Sequence, residues 1–107
     1  VYDTKMAEFH GETMKLFEPE FEWIARDGRI KHLHLNDYDG EYMDWGNMKV
    51  LPVGYGHVDF DLFLGRLAEY RYSVDCTVEA TAVDREGQVD FAMLNECFNN
   101  IRRKISA

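Results

Sequence analysis

An α/β chain whose parallel strands belong to a (β/α)8 barrel is what the sequence predicts, and three observations carry that expectation. Strand-like and helix-like segments alternate along the 107 residues, which makes the strands parallel and the helices crossovers. Two of the strand-like segments are polar on one face and apolar on the other. The chemically active polar residues gather at the C-terminal ends of the strand-like segments, where a barrel builds its site.

The elements follow in order. Residues 1–4 form the end of a strand. A polar stretch follows, and then a helix opening at Glu18-Pro19, with proline at the first helical position. Phe21, Ile24 and Ala25 give that helix its apolar face, and Gly28 stops it. Residues 30–36 are a strand. A long loop, residues 37–57, holds Gly40, Gly46, Pro52, Gly54 and Gly56. Asp59 caps a helix with the stripe Phe60, Phe63, Leu64, Leu67 and Ala68. Residues 74–80 are a strand. The closing helix, residues 90–105, carries the stripe Phe91, Leu94, Cys97, Phe98, Ile101 and Ile105.

The faces of the two longer strands decide the architecture. His32, His34 and Asn36 share one side against Leu33 and Leu35, and Asp75, Thr77, Glu79 and Thr81 share one side against Val74, Cys76, Val78 and Ala80. An open sheet covered by helices on both sides favours strands that are apolar throughout. A barrel covers only the outer side with helices and leaves the other for layers of interior residues and a site.

Composition bounds the function. With 46% hydrophobic and 14% aromatic residues the chain is that of a packed protein, not a disordered tail. No run approaches the roughly 20 apolar residues of a membrane span, and Val1-Tyr2-Asp3-Thr4-Lys5 lacks the layout of a secretory signal. It also lacks an initiator Met, so the expectation is a piece cut from a longer chain. The net charge is −8 and the one basic cluster, Arg102-Arg103-Lys104, ends a helix and complements its dipole. Nucleic acid is therefore not an expected partner, nor is a membrane. Cys76 and Cys97 have no CxxC spacing and are expected to be buried thiols in a reducing cytoplasm.

Asp3, His34 and Glu79 fall at the ends of successive strands, on the side assigned to the interior. A carboxylate, an imidazole and a second carboxylate suit one divalent ion such as Mn, Mg, Co or Zn. Each residue alone has an ordinary reading: a hydrogen-bonded strand histidine, a turn aspartate, a solvated strand end. Their joint placement favours a site.

The run Ile30-Lys31-His32-Leu33-His34-Leu35-Asn36-Asp37 resembles the "hxHLxD" seventh strand of the xylose-isomerase-like barrels, which group sugar isomerases and epimerases with the apurinic endonucleases. Leu51-Pro52-Val53-Gly54-Tyr55-Gly56-His57-Val58-Asp59-Phe60 is similar to their "lpxGxGxvdf", Thr77-Val78-Glu79 to their eighth-strand "hxxE", and Tyr2-Asp3-Thr4 to the end of the sixth strand. The resemblance spans nearly the whole chain. It implies that residues 1–107 are the C-terminal fragment, about strands 6–8 with their helices, of a single barrel domain. It also implies that Asp3, His34 and Glu79 are metal ligands, with a fourth, a Glu of the fifth strand, outside this chain. In the epimerases that Glu and the equivalent of Glu79 are the acid–base pair, while the metal polarises the carbonyl and stabilises an enediolate. The implied parent is a divalent-metal-dependent isomerase or epimerase of sugars or sugar phosphates, and this fragment alone is expected to be inactive. Its expected partners are the substrate and either the rest of the barrel or further copies of itself. Asn36, Tyr38, Trp45 and His57 are candidate substrate contacts, although Tyr38, Tyr42, Trp45 and Tyr55 could equally anchor a loop long enough to be a lid.

Departures from the family weigh on the alternatives. The endonuclease branch has a His three residues after the sixth-strand Asp and an Asp-x-His before the Gly-x-Gly turn; here those places hold Met6 and Met48-Lys49-Val50, and His10 is off the spacing. That counts against a three-zinc phosphodiesterase. Asp37-Tyr38-Asp39-Gly40 also lacks the Arg that some epimerases carry after the ligand His. A non-catalytic binding protein on the same barrel stays open. A cupin site at His32-x-His34 does not fit, since Asp39 and Arg26 stand where it needs Glu and Gly.

Overall fold

The computed structural model describes residues 1–48, 50–70, 74–78 and 86–106. The chain starts with β1 (Tyr2–Asp3), α1 (Thr4–Phe9), a 3-10 turn at Lys15–Phe17 and α2 (Trp23–Arg26). It continues with β2 (His32–Leu35), a second 3-10 turn at Trp45–Asn47, α3 (Phe60–Ala68), β3 (Asp75–Val78) and α4 (Phe91–Ser106). The three strands form one parallel sheet in the order β1-β2-β3. The α/β class and the parallel strands are those the sequence predicts. No described helix is long and apolar enough to cross a membrane.

The alternation of β2 is the anchor. Leu33 and Leu35 are buried, while His32 and His34 on the other side are half-buried. The two leucines belong to one core with Ile30, Ala25 and the α3 residues Phe60, Phe63, Leu64 and Leu67. Full burial of each such side chain contributes roughly 1.5–3 kcal/mol. Asp59 caps α3 as expected, its carboxylate accepting the Leu62 N–H at 3.0 Å; Ala68, placed on the stripe by periodicity, is exposed.

Four expectations need correction. A helix begins directly after β1, where only a polar, Met-rich stretch was expected. Asp3 caps it, accepting the Met6 N–H at 2.9 Å, and Thr4 and Phe9 are buried beneath it. The helix expected from Glu18 is reduced to α2; before it, Phe21 and Glu22 both donate to the Glu18 carbonyl in turns. Gly28 does end α2: at φ +64° it lets Arg29 donate back to the Ile24 carbonyl at 2.8 Å.

The third correction concerns α4. Cys97 is buried, but Phe91, Phe98 and Ile105 of the expected stripe are exposed. The helix is turned by polar tethers at i, i+4 and i+8: Glu96 accepts from the Tyr55 hydroxyl, Asn100 donates to the Val53 carbonyl, and Lys104 pairs with Asp61. Cys76 is likewise exposed, not buried, and neither cysteine is in a disulfide.

Candidate functional site

Parallel pairing sets Asp3 directly opposite His34, and His34 opposite Thr77. Asp3 Oδ2 lies 3.7 Å from His34 Nδ1, and both side chains are partly exposed. The other carboxylate oxygen, Oδ1, is the α1 cap, so helix formation fixes the rotation of the Asp3 carboxylate. Thr4 then joins the two strand ends: its hydroxyl donates to the Asn36 carbonyl at 2.6 Å and accepts the Asn36 N–H at 3.0 Å. Asn36 is fully buried, and its Oδ1 accepts the Lys5 N–H at 2.7 Å. Its Nδ2 is buried with no hydrogen-bond partner, an unusual state for an amide.

His32 is held below this pair, its Nε2 2.6 Å from the Thr77 hydroxyl. Glu79, the expected third ligand and proton-transfer group, lies outside the described residues. Among the described residues no three His, Cys, Asp or Glu side chains are grouped as a metal set. An open cleft of about 780 Å³ runs along β1, and its lining includes Tyr2, Asp3, Met6, His10 and Ile24. Tyr2 donates to the Thr13 carbonyl and stacks on Phe63; burial, with Glu12 and Glu8 nearby, pushes its phenol up to about 12.

Tyr38, Trp45 and His57 gather elsewhere, around Phe9 at the end of α1. The Tyr38 ring meets Phe9 at 6.0 Å and His57 at 5.7 Å, and Trp45 meets Phe9 at 4.6 Å. Tyr38 is fully buried and its hydroxyl donates to the Glu41 carbonyl at 2.7 Å, so in this structure it anchors the loop. Burial and Asp44 raise its phenol above the usual value. Trp45 and Tyr42 are exposed. His57 Nε2 is 2.8 Å from the Gly40 carbonyl and Nδ1 is 2.9 Å from Glu8 Oε2. The Gly40 carbonyl, with Glu8, raises its pKa above 6.5 against the opposing effect of partial burial.

Sequence reasoning missed the residue that organises this loop. Asp37 is buried, and its carboxylate accepts three backbone N–H groups, from Tyr38 at 2.8 Å, Gly54 at 2.9 Å and Val58 at 2.9 Å. Its backbone also bridges to Leu51. A Cβ on Gly56 would run into the Tyr38 carbonyl and the Asp37 carboxylate. The available signal was an Asp at a strand end ahead of a glycine-rich loop, where the side chain can bind backbone turns.

Comparison of the chain with protein-family models, with curated proteins and with solved structures finds no match in any of the three.

Proposed function

We propose that Asp3 and His34 are two ligands of one divalent ion, in a barrel enzyme that isomerises or epimerises a sugar or sugar phosphate. The observation that supports it is the register pairing of Asp3 and His34 with donor atoms 3.7 Å apart. That distance is too long for a hydrogen bond. It is within the span of two ligands on one ion, each about 2.0–2.2 Å away. The Met6 N–H turns the Asp3 carboxylate so that its second oxygen points to the imidazole, the orienting role that outer partners play at metal sites. Such an ion, when bound, polarises a carbonyl and steadies negative charge beside it.

In this reading His34 binds as the neutral imidazole, Asp3 supplies negative charge, and Glu79 moves the proton beside the carbonyl. Carrying Glu79→Gln in the complete barrel, with a ketose substrate in D2O, tests the assignment. Loss of epimerisation, with the metal retained, is expected; turnover at the wild-type rate contradicts it. A second reading is a binding protein on the same scaffold, since fold alone does not fix activity. Sugar binding without any exchange in the complete barrel selects that one.

A further inference from the structure

We infer that His57 is a pH-sensitive strap which, in its protonated form, ties the 37–57 loop to α1. Each of the two ring nitrogens faces an oxygen acceptor. The Gly40 carbonyl can only accept, so Nε2, 2.8 Å away, must carry a proton. An ionised Glu8 carboxylate can also only accept, so Nδ1, 2.9 Å from it, must carry a second. Neutral imidazole has one N–H. Only the imidazolium satisfies both contacts, and its loss leaves a bare nitrogen lone pair against a carboxylate.

The strap draws together three pieces of chain. Gly40 belongs to the start of the loop and His57 to its end, where the His57 N–H also donates to the Tyr38 carbonyl at 2.9 Å. Glu8 belongs to α1, and its other oxygen accepts the Thr13 hydroxyl, so the carboxylate is held from both sides. The His57 side chain is half exposed and can exchange its proton with water.

The surroundings favour the cation. A cleft of about 340 Å³ beside His57 is lined by Glu8 from α1, Thr13 from the turn after it, and Glu41 and Tyr42 from the loop. No Lys or Arg is among the described residues lining it. The Tyr38 ring meets the His57 ring at 5.7 Å between centroids, and Asp39 flanks Gly40 in the chain. Because the folded-state pKa is raised above 6.5, the strap is complete at and below that pH. It opens as the pH rises through the folded-state value.

Trp45 reports on the loop. Trp23→Phe leaves it as the one indole, since the chain has two Trp residues. Its emission, followed from about pH 5.5 to about pH 9, is expected to show a transition with a midpoint above 6.5. Glu8→Gln lowers that midpoint and His57→Gln removes the transition. Carbon-detected NMR of the His57 ring in the unsubstituted chain gives the same midpoint directly, and decides the matter if a variant does not fold. A ring that titrates at or below 6.5, a midpoint unmoved by Glu8→Gln, or a Trp45 transition that survives His57→Gln overturns the strap.

Discussion

Asp3 and His34 face each other across two parallel strands, and the carboxylate that meets the imidazole also caps the helix that follows it. One side chain therefore serves folding and the proposed site together, and the two roles separate by substitution. Asp3→Asn keeps a good helix cap, so stability should stay within about 0.5 kcal/mol of the original, whereas Asp3→Ala should cost about 1 kcal/mol. Urea unfolding of both variants checks this; equal losses would mean that the cap is not what Asp3 contributes.

Asp37 should matter far more to stability than any proposed ligand. Asp37→Ala strands two buried backbone donors, on Tyr38 and Val58, and removes the acceptor of a third on the exposed Gly54. Unmet buried donors cost about 1–3 kcal/mol each, so a loss of at least about 2 kcal/mol is expected. A chemical melt within about 0.5 kcal/mol of wild type would show that the loop does not depend on this carboxylate.

Two glycines give a matched contrast. Gly56→Ala drives a methyl group against the Tyr38 carbonyl and Asp37, and should cost about 1–3 kcal/mol. Gly65 sits inside α3 with nothing within 4 Å of an added Cβ, so Gly65→Ala should stabilise by about 0.5–1 kcal/mol. Thermal melts of the pair test the packing of the loop against the helix.

These contrasts show how much the sequence could reveal. The two faces of β2 and the Asp59 cap were legible because each depends on spacing within a few residues. α1 was not: six residues are too few for a helical period, and its formation depends on the Asp3 cap and burial of Thr4 and Phe9. The turn of α4 was hidden for another reason. Its polar tethers reach Val53, Tyr55 and Asp61, partners more than 40 residues away along the chain. The candidate site divides in the same way. Strand order put Asp3 and His34 at neighbouring strand ends, which the register pairs, but nothing local says that Glu8 and Gly40 close around His57.

The partial-barrel proposal carries an expectation about assembly. Phe91 and Ile105 of α4 are more than half exposed, and β1 and β3 each have one paired side among the described residues. Exposed apolar surface and open strand edges favour association. Light scattering of the 107-residue chain at micromolar concentration should give a mass above the 12.6 kDa monomer, reduced by Phe91→Ser with Ile105→Ser. A compact monomer with a sharp cooperative melt would contradict the partial barrel.

The most direct measurement of the central claim is a cobalt titration of the chain, read by the visible absorption of protein-bound Co(II). Wild type should develop the bands of a nitrogen- and oxygen-ligated ion. His34→Ala and Asp3→Asn should each weaken binding at least about tenfold, while His32→Gln, which changes the histidine bonded to Thr77 and packed edge-on against His34, should weaken it less than either. Cobalt uptake that is absent from wild type, or that survives both His34→Ala and Asp3→Asn, contradicts a metal site at this pair.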